Sequence, residues 1–77
     1  MAVSNHDEMN ESELSKRLNF IRGVEKILSQ AVKEYSRLTG IAAEEIRNHL
    51  SIRRIDASLI WIEFEYGDSH FYYRRHE

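Results

Sequence analysis

Between Leu14 and Leu38 large apolar residues and alanine recur every three or four positions: Leu14, Leu18, Ile21, Val24, Ile27, Leu28, Ala31, Val32, Tyr35 and Leu38. No proline interrupts them, and the spacing predicts one long amphipathic helix. With Phe20 added, the apolar positions spread over roughly half of the helix circumference at about 100° per residue. That is wider than the seam of a two-stranded coiled coil, so the helix is expected to meet more than one neighbour. Asn10 followed by Glu13 has the capping-box pattern, with acidic residues in the first turn where the helix dipole favours them, which starts the helix near Glu11. Gly23 falls on the polar side of this wheel, costs about 1 kcal/mol of helix propensity against alanine and is expected to leave the helix continuous. Gly40 supplies the left-handed residue that ends it, and Ile41 the apolar contact that follows such a cap.

The stretch AAEEIRNHL (residues 42–50) predicts a short second helix, with Glu44 and Glu45 in its first turn and Ile41, Ile46 and Leu50 turned toward the long helix. The period then shortens to two. LIWIEFEY and SHFYYRR flank Gly67 and Asp68, a glycine-first pair suited to a two-residue hairpin turn. If Tyr66 and Ser69 flank that turn, Phe64 stands opposite Phe71 and Ile62 opposite Tyr73, and these with Ile60 form a core-facing wall. SIRRIDAS (residues 51–58) admits two readings, a turn closed by Ile52 and Ile55 or a third short edge strand with its arginines in water. The order helix, helix, hairpin predicts an α+β fold: a long amphipathic N-terminal helix, a short second helix and a C-terminal antiparallel β-hairpin. Residues 1–10 are expected to be a flexible acidic tail and residues 11–77 a single small domain.

Composition narrows the setting. At 77 residues the chain buries only about 60% of the surface that its unfolded form exposes, and without cysteine it has neither disulfides nor thiolate metal sites to reinforce it. Self-association is the remaining reinforcement, so a homodimer is expected. The start at Met1, the polar opening and the lack of a long apolar run point to a cytoplasmic protein with no membrane role. The net charge of −2 conceals a segregation. Residues 1–13 hold Asp7, Glu8, Glu11 and Glu13 and no basic residue, whereas residues 14–41 hold Lys16, Arg17, Arg22, Lys26, Lys33 and Arg37 against Glu25 and Glu34.

Alternation places Trp61, Glu63, Glu65, His70, Tyr72 and Arg74 on the outer face of the hairpin, together with His76. Large aromatics mixed with charge exceed what a solvated face needs. Local pairing accounts for part of the pattern: Trp61 under Arg74 as a cation–π pair, Glu65 with His70, and the general preference of strands for aromatics. A partner surface accounts for the rest, because interfaces enrich Trp, Tyr and Arg and a two-stranded sheet in a small domain covers one face only. An exposed strand edge also permits sheet extension by another chain. A second candidate is the basic stripe Arg22, Lys26, Lys33 and Arg37, whose spacings of four, seven and four residues align them on one polar line of the long helix. Its readings are a solubilising surface or an anchor for an acidic partner, this chain's own acidic tail included.

Chemistry finds little support. The histidines His6, His49, His70 and His76 lack the short helical spacing of a zinc pair. Glu63 and Glu65 stand on a flat face with no cleft to separate their pKa values. No serine has a glycine-flanked elbow and no glycine-rich loop cradles phosphate. No enzyme activity, cofactor or metal is expected.

KEYSRLTGIAAEEIRNHL (residues 33–50) resembles a helix-turn-helix, with Gly40 at the turn, Ile41 and Ile46 as buried positions and the hairpin as a wing. The resemblance implies a DNA-binding regulator using Arg47, Arg53 and Arg54. It departs from that pattern in its unusually long first helix and in the acidic AAEE where phosphates would approach. The favoured reading is a small regulator, inhibitor or adaptor, of the kind found among phage and mobile-element accessory proteins, that binds another protein through the outer hairpin face.

Overall fold

The computed structural model describes residues 11–75. Its elements run α1 (Glu11–Thr39), α2 (Ala43–His49), β1 (Ser51–Ile55), β2 (Trp61–Tyr66) and β3 (Ser69–Arg74). The fold is α+β as expected, with a continuous long helix, a short second helix and a three-stranded antiparallel sheet in the order β1-β2-β3. The proposed cap Asn10, the acidic tail and His76 lie outside the described residues.

The end of α1 is sealed in several ways. Gly40 takes φ +81° and its N–H donates to the Ser36 carbonyl at 2.8 Å, the single bond of a left-handed cap. The Thr39 hydroxyl donates to the Tyr35 carbonyl at 2.7 Å and accepts from the Ile41 N–H at 3.2 Å. The Ser36 hydroxyl donates to the Ile41 carbonyl at 2.6 Å. This brief turn folds α2 back along α1, where Arg47 reaches Glu25 at 2.8 Å and Ser29 at 3.4 Å and Ile46 is fully buried.

The core lies between the helices and one face of the sheet. Ile27, Ala31, Val32 and Tyr35 of α1 and Ile46 of α2 meet Ile62 and Phe64 of β2. Tyr35 forms edge contacts with Phe64, Tyr66 and Phe71 at centroid separations of 5.4, 6.0 and 5.0 Å, an arrangement that favours aromatic quadrupoles. The Tyr66 hydroxyl donates to Glu45 of α2 at 3.2 Å. Desolvation first, and then the hydrogen bond and charge of Glu45, hold the Tyr66 phenol above its ordinary pKa.

The β2–β3 hairpin has the expected register, from Tyr66 opposite Ser69 to Trp61 opposite Arg74. Gly67 has φ +62° while Asp68 does not enter the positive region, which makes the turn type II′. Residues 51–55 form the third strand, settling the two readings of that stretch. A bulge between Ile52 and Arg54 sets Ile52 opposite Phe64 and Ile55 opposite Ile62. Two residues three apart would fall on opposite faces of a regular strand, and the extra residue returns both isoleucines to the helix side.

The sequence reading of Gly23 is corrected. Far from idling on a polar face, it is the seat of Leu59: a Cβ at position 23 would stand 2.3 Å from Leu59 Cδ1. Leu59 itself has φ +61°, a left-handed conformation costing a branched L-residue about 1–2 kcal/mol. It sits in the β1–β2 turn, its N–H donating to the Asp56 carbonyl at 2.8 Å. The Asp56 carboxylate accepts from the Ser58 and Ile60 N–H groups. Hydrogen bonds and the glycine notch together hold the turn against α1.

Candidate functional site

Because α1 and α2 cover one face of the sheet, the other has no layer over it among the described residues. Alternation along β2 places Trp61, Glu63 and Glu65 there, and β3 adds their cross-strand partners Arg74, Tyr72 and His70. The six residues singled out in the sequence thus share one surface. β1 extends it, with Arg54 opposite Glu63 and Ser51 opposite Glu65. Arg53, in the bulge, reaches Glu65 at 3.7 Å.

The pairing within this surface differs from the direct cross-strand pairs expected. Trp61 stands opposite Arg74 but stacks diagonally on Tyr72, ring centroids 5.7 Å apart and planes inclined by 33°. Glu65 stands opposite His70, yet His70 Nε2 lies 3.3 Å from Glu63 Oε1, because the bulged Arg53 engages Glu65 from the other side. Diagonal neighbours are within reach of long and aromatic side chains. The outcome is an aromatic plate with Tyr72 49% exposed, bordered by the Arg53–Glu65 ion pair, by the His70–Glu63 contact and by Arg54 and Arg74, which have no acidic partner among the described residues.

The basic stripe is exposed along its whole length. Arg37 forms a forked bond with Glu34, which raises its already high pKa. Arg22, Lys26 and Lys33 have no ion pair among the described residues. Lys33 and Arg37 line an open groove against Tyr73, which adjoins a hollow lined by Leu38, Tyr72 and Arg74. The two candidate surfaces therefore meet along the free edge of β3, while Arg22 and Lys26 lie farther up the helix. Gln30 in the groove wall was not singled out in the sequence, and its Oε1 is buried without a hydrogen-bond partner. One polar residue beside a polar stripe gives no sequence signal for this.

Of the residues attached to the helix-turn-helix resemblance, Arg47 is tied to α1, Arg53 pairs with Glu65, and Glu45 is bonded to Tyr66 and lies 3.3 Å from His49. Only Arg54 stands clear. Among the described residues no three acidic or histidine side chains converge as a metal site would require, and no helix is long and apolar enough to cross a membrane. Comparison with protein-family models, with curated proteins and with solved structures finds no match for this chain.

Proposed function

We propose that this protein is a non-enzymatic regulator, inhibitor or adaptor that acts in the cytoplasm by binding another protein through the outer face of its sheet. The observation that carries this reading is the Trp61–Tyr72 plate. Two aromatics in contact lie toward one end of a sheet face that has no layer over it among the described residues, with Glu63 and Arg74 as their cross-strand neighbours. An apolar anchor supplies affinity, and a charged rim supplies orientation and selection against wrong partners. Arg54, across from Glu63, and Arg74 form no ion pair among the described residues and favour a partner with carboxylates around its apolar patch. The adjoining β3 edge gives the partner's backbone a ladder to extend, with Lys33 and Arg37 on its helix side.

Nucleic acid is the weaker reading. A recognition helix of seven residues with two acids in its first turn and its arginine committed to α1 offers little to a DNA groove, and an absence of salt-dependent DNA binding would remove it.

The test is capture from the native host with wild-type protein, Trp61→Ala and Tyr72→Ala side by side, followed by mass spectrometry. A protein retained by the wild type and lost by both variants, while all three remain folded, supports the reading. Retention by both variants would sink it.

A further inference from the structure

The two edges of the sheet are not alike. β1 is five residues long and carries the bulge between Ile52 and Arg54, an irregularity that disrupts pairing along an edge. β3 is six residues long and keeps an uninterrupted register with β2 from Ser69 to Arg74. A two-residue hairpin turn makes its flanking residues, Tyr66 and Ser69, a hydrogen-bonded pair, and antiparallel pairs then alternate between bonded and non-bonded. Ser69, Phe71 and Tyr73 therefore bond to β2, and the Arg75 N–H, donating to the Ile60 carbonyl at 2.7 Å, keeps the same phase. The backbone N–H and C=O groups of His70, Tyr72 and Arg74 consequently point away from β2, and no hydrogen bond reaches them among the described residues. This leaves a ladder of alternate donors and acceptors with neither proline nor bulge to close it.

The side chains beside this edge select what pairs with it. On the helix side, the hollow lined by Leu38, Phe71 and Tyr73 gives an added strand's side chains room, and Lys33 and Arg37 line the groove next to it. On the outer side stand Tyr72 and Arg74. The one acid lining either recess is Glu34, which Arg37 already engages, so Lys33 and Arg74 flank the edge without an ion pair among the described residues. A second copy fits poorly. Two β3 strands paired antiparallel about a two-fold axis perpendicular to the sheet would set both α1 helices on one face, with Lys33 and Arg37 of each turned toward the other and both Arg74 side chains in one seam. Like charges so placed are destabilising. A foreign strand with carboxylates on its helix side meets the same residues as complements.

We infer that an extended acidic segment of the protein partner adds to this sheet as a fourth strand, hydrogen-bonded to the backbone of His70, Tyr72 and Arg74, with carboxylates at alternate positions facing Lys33 and Arg37 and apolar side chains continuing the Trp61–Tyr72 plate. In strand addition the main-chain bonds supply affinity and the alternate side chains supply selectivity. The inference rests on the reading that a protein binds this sheet, and it adds the chemistry of the segment that binds. Trp61→Ala keeps the two apart: capture from the host depends on that side chain, whereas pairing along β3 depends on the edge N–H groups and on Lys33.

The probes are two short end-blocked peptides, one alternating Glu with Val and the other Lys with Val, titrated to about 2 mM into the full isotope-labelled chain and followed by nuclear magnetic resonance. The Glu–Val peptide should move the amide signals of His70, Tyr72 and Arg74 more than those of Phe71 and Tyr73, and should bind at least tenfold more tightly than the Lys–Val peptide. Lys33→Glu with Arg37→Glu should reverse that order. His70→Pro, a change that edge strands tolerate, removes one edge donor and should weaken binding at least tenfold against His70→Ala, which loses the same side chain but keeps the donor. Arg74→Pro against Arg74→Ala repeats the comparison at the other end of the strand, so that one pair remains if the other proline disturbs the hairpin by circular dichroism. No binding of either peptide, signals that move elsewhere than the edge, equal affinity for the two peptides, or proline variants that bind as well as their alanine controls would each overturn the proposal. So would a free protein that dimerises through β3, which gives the edge to a second copy.

Discussion

Replacing Gly23 by alanine should fail to stabilise this protein, although it should do so in an ordinary helix. Alanine in an exposed helix interior gains about 1 kcal/mol over glycine. Here the new Cβ would lie 2.3 Å from Leu59 Cδ1, against an ordinary carbon–carbon contact of about 3.5–4.0 Å. The leucine methyl must retreat by more than about 1 Å, from a residue whose backbone is already left-handed and held by the Asp56 turn. Overpacking of this kind costs about 1–3 kcal/mol, so the variant should range from neutral to about 2 kcal/mol less stable. Leu59→Gly removes the obstructing methyl and the left-handed strain together, and in that background Gly23→Ala should recover its full gain of about 1 kcal/mol. For a domain of this size the recovery amounts to a rise of about 4–8 °C in melting temperature. Urea unfolding of the four proteins in the cycle, followed by far-ultraviolet circular dichroism, gives the coupling, expected at about 1–3 kcal/mol. If Gly23→Ala stabilises the wild type and the Leu59→Gly variant equally, Leu59 does not depend on the notch and the reasoning fails.

Three further outcomes follow from the packing. Phe64→Ala, at a fully buried position among Tyr35 and Phe71, should cost about 3–5 kcal/mol, enough to unfold much of so small a domain at room temperature; a cooperative transition with an unchanged midpoint would contradict the core described. Arg47→Ala should cost less than about 1 kcal/mol, because its pair with Glu25 is solvent-exposed on both sides, and a larger loss in urea unfolding would mean that α2 depends on that contact to stay docked. Tyr66 holds its proton more tightly in the folded state than in the unfolded chain, so its contribution to stability is full below the free phenol value of about 10 and is lost as pH rises through the higher folded value. Unfolding midpoints measured upward from about pH 10 should therefore fall more steeply for the wild type than for Tyr66→Phe, and parallel curves would show that neither desolvation nor Glu45 biases the phenol.

The elements that could be read from the chain were those whose signal is local. The three- and four-residue spacing from Leu14 to Leu38 specifies α1, Gly40 specifies its end, and the Gly67–Asp68 pair fixes the hairpin register and thereby gathers Trp61, Glu63, Glu65, His70, Tyr72 and Arg74 on one face. Gly23 was misjudged because the residue that fills its notch is Leu59, far away in sequence, and a helical wheel knows nothing of a turn that folds over it. The β1 strand was ambiguous because its bulge breaks the alternation on which strand recognition rests: Ile52 and Ile55 are three apart, a spacing that reads as a turn until the extra residue is counted. The same bulge frees Arg53 to take Glu65, leaving His70 to Glu63, so the pairing on the candidate surface followed from an irregularity that composition does not announce.

The central claim is that Trp61 and Tyr72 together anchor a protein partner on the open sheet face. It is tested most directly by titrating the captured partner into wild-type protein and Tyr72→Ala, following the fluorescence of Trp61, the only tryptophan in the chain. Tyr72 is about half exposed and its removal leaves the core face intact, so the variant should melt within a few degrees of the wild type. The account predicts a blue shift of Trp61 emission as the partner buries the plate, and a loss of about 2 kcal/mol or more for Tyr72→Ala, roughly a thirtyfold rise in dissociation constant. Binding of equal strength by both proteins, with Trp61 emission unmoved in either, would contradict it.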